Sequence, residues 1–302
     1  MNTACPYALY LGRLAPNSQR SIASQLNSVA EMLEWPAEKR QMMFHTIDYQ
    51  QASHIKAMLL AKGWSPRSIN RAMTAIRNIV KVAVIAGLAS ERQAVQLQAI
   101  TRIKHGNHKG TPLSTDQVAK LFNVLANETS LIGSRNAAIF AVLLGVGIRR
   151  SELVALRLSD YSLDERTLYI RKGKGNKSRT VYLPTWSCDA LQSWISSRGD
   201  EEGALFLRIA RGGVIQQGSQ LSTSFIYTLI RKALGQIGVN NASPHDLRRT
   251  FITRLLEQNV DLNTVRQMAG HADIATTIMY DKRDHAAMQQ AASMLSYGKE
   301  EE

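Results

Sequence analysis

Cysteine is nearly absent from this chain of 302 residues: Cys5 and Cys188 stand far apart, with no metal-ligand spacing around either. Neither a disulfide framework nor a zinc site is supported, and reduced thiols are expected. Also missing is any apolar run of about 18 residues, the length a membrane-spanning helix needs. The opening stretch MNTACPYALYLGRLAPNSQR lacks the charged-then-apolar order of a secretion signal, which points to a cytoplasmic protein with no membrane-spanning segment. Acidic residues are in short supply, with 24 Asp and Glu against 37 Lys and Arg, giving a formal charge of +13 and a pI near 9.9. Such an excess favours a polyanionic partner, and charge alone does not choose between nucleic acid and an acidic membrane surface. The imbalance is greater in residues 1–110, with 14 Lys and Arg against 5 Asp and Glu, than in the remainder, with 23 against 19.

What is present is enough apolar material, 44% of residues, for one or two cores. From Asn17 to Gly87 the pattern is helical throughout. In SPRSINRAMTAIRNIVKVAVIAG the residues Ile69, Met73, Ile76, Val80 and Val84 recur at three or four positions, Ser65 sits at an N-cap before Pro66, and Gly87 ends the run. Arg67, Arg71, Arg77 and Lys81 lie around the same helix, as a solvated face or as DNA contacts. The stretch TRIKHGNHKGTPLSTDQ is basic, rich in Gly, Thr and His, and without apolar period, so residues 101–113 are expected to link two domains, 1–100 and 114–302. His105 and His108 in this loop lack the further ligands a metal would need. Ser114 or Thr115 would cap the next helix.

Beyond the linker, helical patterns at about 115–126 and 134–147 lead to GIRRSELVALRLSD. Then TLYIRKGKGNKSRTVYLP alternates like two strands joined by a Gly-Asn turn. Helices return from about residue 186, interrupted by the Gly-rich RIARGGVIQQG. The expectation is a mainly α protein: a helical N-terminal domain, then a mixed α/β domain with a small antiparallel sheet.

Several spacings could carry chemistry. Arg149 and Glu152 are three apart, so on a helix they share a face and the carboxylate can hold the guanidinium in one orientation. Lys174 falls at the tip of the expected hairpin, which lacks the G-x-x-x-x-G-K-[ST] spacing of a nucleotide-binding loop. In PHDLRRTFI, His245 and Arg248 share a face at a helix start. His271 and Tyr280 are nine apart, which would oppose them on one straight helix. Gly270 can end one helix and Asp273 can cap another, so a turn between them can bring both to one pocket. Each of these features alone is ordinary surface chemistry.

Taken together, in order and spacing, Arg149 in GIRRSEL, Lys174 in GKGNKSR, His245 and Arg248 in HDLRRTF, His271 in GHADIATT and Tyr280 resemble the six-residue signature of the tyrosine recombinases, the phage integrase family. The likeness extends over roughly residues 15–295, and Arg150 and Arg249 stand where many members carry an apolar residue and a second histidine. The resemblance implies a SAM-like core-binding domain followed by a catalytic domain, double-stranded DNA sites as partner, a tetramer on two sites, and an association with the nucleoid. It also implies that Tyr280 attacks the scissile phosphodiester, that Arg149 and Arg248 neutralise the phosphate with Glu152 orienting Arg149, and that Lys174 protonates the leaving 5′ oxygen. His245 would assist proton transfer and His271 would donate to a non-bridging oxygen. No metal or other cofactor is expected, since no cluster of Asp and Glu stands ready to hold magnesium. Lys177 and Arg179 join the helix cations as DNA-binding candidates. Alternatives are a type IB topoisomerase-like enzyme, which would rejoin the same ends, and a non-catalytic DNA-binding factor, which would not need Tyr280 or Lys174.

Overall fold

The computed structural model describes residues 5–104, 110–171, 178–240, 242–281 and the isolated positions 289, 292 and 293. The chain divides into two compact units, residues 1–108 and 109–302. Among the described residues, no helix is long and apolar enough to cross a membrane.

The first unit is helical: α1 (Pro6–Gly12), α2 (Pro16–Met32), α3 (Arg40–Met43), α4 (Tyr49–Ala61), α5 (Pro66–Ile85) and α6 (Glu91–Gln98). Its centre is α5, packed against α1, α2, α4 and α6. The helix starts where expected, because the Ser65 hydroxyl accepts the Ser68 N–H (3.2 Å) and Pro66 occupies the first turn, where its missing N–H costs nothing. Ile69, Met73, Ile76 and Val80 are buried, joined by Ala72, Ile79 and Ala83, while Val84 is only half-buried. The apolar stripe is therefore broader than the sequence pattern alone outlined. Phe44 fills the other end of this core, stacked on Tyr7 at 5.6 Å and edge-on to Trp35 at 5.0 Å.

One of the expected DNA contacts in this unit is already engaged within it. Arg77 donates from Nε to the Leu97 carbonyl (2.9 Å) and from Nη2 to that of Ile100, carbonyls that the end of α6 leaves unpaired. Its guanidinium is occupied inside the unit, whereas Arg67, Arg71 and Lys81 are exposed. The start of the expected linker is also pinned here. The Asn70 side chain donates to the Ile103 carbonyl and accepts its N–H, both at 2.9 Å, and Lys56 Nζ donates to the Thr101 carbonyl at 2.7 Å.

In the second unit, Ser114 caps α7 (Thr115–Ala126) through a reciprocal pair: its hydroxyl accepts the Gln117 N–H at 3.1 Å, and Gln117 accepts the Ser114 N–H at 2.9 Å. Helix α8 (Leu131–Val146) is apolar on nearly every side and lies between α10 (Thr185–Arg198) and α12 (Pro244–Glu257). Between α8 and α10 come α9 (Arg150–Ala155) and an antiparallel sheet in the order β1 (Tyr161–Ser162), β2 (Thr167–Ile170), β3 (Arg179–Tyr182). The pairing runs from Thr167 opposite Tyr182 to Ile170 opposite Arg179. The two expected strands are β2 and β3, and β1 adds an edge. The residues between them, with Lys174 and Lys177 at the expected Gly-Asn turn, lie outside the described residues.

The Gly-rich interruption forms a second hairpin, β4 (Leu207–Ile209) with β5 (Ile215–Gln220), turned at Gly212 and Gly213 with φ of +93° and +83°. Then follow α11 (Thr223–Gln236), α12, α13 (Leu262–Ala269) and α14 (Ala275–Ile278).

Candidate active site

Two left-handed glycines close helices at the points where the site is built. Helix α8 ends on Gly147 (φ +63°), whose N–H donates to the Leu143 carbonyl. The chain then enters α9 through Arg149, in extended conformation at the N-cap. Arg149 thus stands just before the helix rather than on it, as its spacing to Glu152 suggested. The pairing survives this shift because Glu152, at the third helical position, folds back: it accepts the Arg149 N–H at Oε2 (2.9 Å) and Arg149 Nη1 at Oε1 (2.7 Å).

The second glycine, Gly270 (φ +63°), ends α13. The last carbonyls of that helix would be left without partners, and two arginines from distant elements occupy them. Arg248 donates from Nη2 to the Ala269 carbonyl and from Nη1 to the Gly147 carbonyl (2.7 Å), and Arg149 donates from Nη2 to the Gly270 carbonyl (3.1 Å). Two guanidiniums are therefore fixed on consecutive carbonyls. Arg248 is 5% exposed, and burial pulls its pKa down to about 10, with the nearby Arg149 charge adding to the effect and Glu152 opposing it. The group remains cationic at neutral pH.

Helix α12 carries Arg248 on its buried side, and its N-terminus is tightly closed. Asp246 accepts the Ser243 N–H (2.8 Å) and hydroxyl (2.9 Å), and Pro244 occupies the first turn. The other Asp246 oxygen accepts Arg249 Nη1 at 2.7 Å, and the Arg249 guanidinium lies 5.5 Å from the centre of the Tyr280 ring. His245 is at the surface, but surrounding protein atoms displace water from its ring. That desolvation, then the charges of Arg248 and Arg150, hold its pKa below 6.5.

After Gly270 the chain turns as its sequence suggested, with Asp273 accepting the Ala275 N–H at 2.9 Å ahead of α14. The turn sets the buried His271 ring 6.1 Å from Tyr280 at an interplanar angle of 17°, and His271 Nδ1 pairs with the Thr277 hydroxyl at 2.9 Å. Arg149 and Glu152 at the start of α9, Arg248 in the second turn of α12, His271 just after α13 and Tyr280 just after α14 are thus gathered, with His245 on the first turn of α12. Lys174 lies outside the described residues.

Arg179, one of the expected DNA contacts, is engaged with a carboxylate of its own unit. Its side chain is 14% exposed, and Nη1 and Nη2 both donate to Glu152, at 3.2 Å to Oε1 and 2.9 Å to Oε2. The carboxylate is thereby shared by two guanidiniums. Burial alone would push the Glu152 pKa up, but hydrogen bonds from Arg179 and the Arg149 backbone, with both charges, hold it below the ordinary carboxylate value. Sequence reasoning also passed over Asp246, which the Ser-Pro-His-Asp order could have marked as a capping pattern. The carbonyls of Gly147, Ala269 and Gly270 left no sequence signal of their role.

A model of the phage integrase family matches residues 111–287, more than half of the chain. Tyrosine recombinase XerA of Thermococcus kodakarensis is 28% identical over 269 residues, covering 89% of this chain and 86% of that protein. Tyrosine recombinase XerC of Pseudomonas entomophila is 31% identical over 245 residues, covering 79% and 77%. Among solved structures, a Tn1549 transposon integrase in complex with circular intermediate DNA superposes with a TM-score of 0.74 at 16% identity, over 98% of this chain and all of that one. The crystal structure of XerA recombinase gives 0.51 at 22% identity, over 97% and 98%. At such identities the structures speak for the fold, while the family match and the curated relatives speak for descent. The chain belongs to the phage integrase family and is a Xer-like tyrosine recombinase, an enzyme of site-specific DNA breakage and rejoining.

Proposed function

We propose that Tyr280 breaks one DNA strand by attacking the scissile phosphodiester, held between Arg149 and Arg248. The observation that supports this most directly is the hanging of those two guanidiniums on the adjacent carbonyls of Gly270 and Ala269, immediately before His271, with the Tyr280 ring stacked on His271. A pentacoordinate phosphorus gathers charge on its non-bridging oxygens, and donors already fixed in place stabilise it without reorganisation. Forked guanidiniums suit those oxygens better than ammonium groups.

In the forward step the Tyr280 oxygen forms a bond to phosphorus and loses its proton, while the bond from phosphorus to the 5′ oxygen breaks. The leaving oxygen takes a proton from Lys174 acting as general acid. His245, neutral at pH 7 given its lowered pKa, can receive the phenolic proton, and His271 donates to a non-bridging oxygen. Because a phosphodiester is exchanged for a phosphotyrosine, the bond energy is retained, and a 5′ hydroxyl can reverse the step without ATP. Duplex recombination sites are the substrate, engaged by a tetramer spanning two sites. In the N-terminal unit, Arg67, Arg71, Arg102 and Lys104 line a cleft of about 540 Å³ suited to a phosphate backbone. Lys81 belongs to a separate surface near Ile85 and Val95.

The test is covalent capture. Incubating the chain with a random-sequence pool of nicked duplexes, which trap the adduct by losing the short strand, should yield protein-linked DNA with a common sequence. Tyr280→Phe should bind the recovered duplex about as well as the parent and form no adduct. A residual adduct in that variant would remove Tyr280 from the nucleophile's role.

A further inference from the structure

The Glu152 carboxylate is fully occupied: each of its oxygens accepts one hydrogen bond from Arg149 and one from Arg179. The two arginines use it differently. Arg179 grips both oxygens side-on with its two terminal nitrogens. Arg149 offers the carboxylate one side-chain donor and its backbone N–H, and sends its other terminal nitrogen to the Gly270 carbonyl. A guanidinium has five N–H donors, so most of the Arg149 fork is left for a ligand. Arg179 also packs against the residue that carries the second acceptor of Arg149: a Cβ built on Gly270 would sit 2.7 Å from Arg179 Cζ. One side chain therefore touches both groups that aim Arg149.

We propose that Arg179 is a positioning residue of the cleavage step: by saturating Glu152 and bracing the Gly270 turn, it keeps Arg149 from closing side-on upon the carboxylate and leaves that guanidinium turned to phosphate. The physical reason is competition for a buried anion. A carboxylate with two unfilled acceptor positions draws the nearest guanidinium into the bidentate geometry, the strongest arrangement the two groups can form. Arg149 is that neighbour, so loss of Arg179 converts a phosphate ligand into an internal ion pair. A lysine at position 179 supplies charge but cannot span both oxygens, and it restores the arrangement only in part. The inference rests on the reading of Arg149 as half of the phosphate clamp.

The experiment compares the parent, Arg149→Ala, Arg179→Gln, Arg179→Lys and the double variant Arg149→Ala/Arg179→Gln. The probe is the nicked duplex recovered by covalent capture, made with its natural scissile phosphodiester or with a methylphosphonate, in which a methyl group replaces one non-bridging oxygen and removes the charge. On the natural linkage, Arg179→Gln should bind as the parent does while its single-turnover adduct rate falls by roughly 100-fold, the scale of a misplaced reacting group. Arg179→Lys should fall between the two. On the neutral linkage the defect of Arg179→Gln should shrink to a few-fold, as should that of Arg149→Ala. The double variant should be no slower than Arg149→Ala, because the second residue acts through the first.

Parent-like cleavage by Arg179→Gln, equal defects on both linkages, or multiplied defects in the double variant would overturn the proposal. If Arg179→Gln does not fold, Arg179→Lys carries the same comparison, and failure of both to fold makes the residue structural and ends the proposal. Full activity in Arg149→Ala, or no captured duplex with the parent, would instead sink the clamp reading itself.

Discussion

His245 sits on the first turn of α12, where desolvation, then the cations Arg248, Arg150 and Arg249, outweigh the favourable charge of Asp246 and hold its pKa below 6.5. The sign of the linkage follows from that direction. As pH falls through 6.5 the unfolded chain takes up a proton that the folded chain refuses, so this residue subtracts stability until the pH passes its folded pKa. His245→Gln should therefore show a flatter decline in urea midpoint than the parent between about pH 7 and 5, the range spanning an ordinary histidine pKa. Parallel curves would mean that the ring is not disfavoured as a cation. Glu152 acts in a separate window, since its lowered pKa gives stability above the ordinary carboxylate value that is lost only as pH drops through the folded one. At the residue scale the arginines also differ in what they already hold. Arg77 and Arg179 are as basic as Arg67 and Arg71 in sequence, yet their guanidiniums already answer carbonyls and a carboxylate of their own unit.

At the scale of elements, the site depends on how α8 and α13 stop. Gly147 adopts φ of +63°, and a Cβ there would come within 2.2 Å of Phe251 Cδ1, so the position excludes a side chain on two grounds. Gly147→Ala should lose about 1–2 kcal/mol to the left-handed backbone and about 1–3 kcal/mol more to overpacking against Phe251, read as a lower urea midpoint. Its adduct rate on captured duplex should fall beyond what partial unfolding explains, because the Gly147 carbonyl anchors Arg248. An alanine variant of parental stability would show that the turn is less constrained than its geometry indicates. The second hairpin shows the opposite case, since β5 is mostly exposed and carries no apolar alternation, so its pairing with β4 is not written in its side chains.

For the whole molecule, a charge of +13 should appear as steep salt dependence of binding to captured duplex. With about six neutralised phosphates, affinity should drop about 1,000-fold between about 50 and 200 mM salt. A flat response in fluorescence anisotropy would contradict a backbone-gripping mode. The segment after Tyr280 bears on assembly. Met288, Ala291, Ala292 and Leu295 follow a helical apolar spacing, of which only Ala292, exposed, is among the described residues. Deleting residues 286–302 should leave single-site binding nearly unchanged while weakening cooperative binding and recombination, as expected if this stripe packs on a neighbouring copy in the proposed tetramer. Parental cooperativity in the truncated chain would refute packing in trans, and failure to fold would favour packing on its own domain.

Helix starts and stops were legible because capping is local chemistry: Ser65, Ser114, Gly87, Gly270 and Asp273 act on partners within four residues of themselves. The amino-acid order likewise determined the family, since the spacings around Arg149, His245, Arg248, His271 and Tyr280 survive in one dimension. What only the tertiary structure decided is which cation faces which partner. Arg149 finds the Gly270 carbonyl 121 residues away, Arg248 reaches Gly147 across 101, and Arg179 takes Glu152 across 27. Charge and donor count are fixed by residue type, whereas the vacancy that a guanidinium fills is created by the ends of helices that the rest of the chain brings to it.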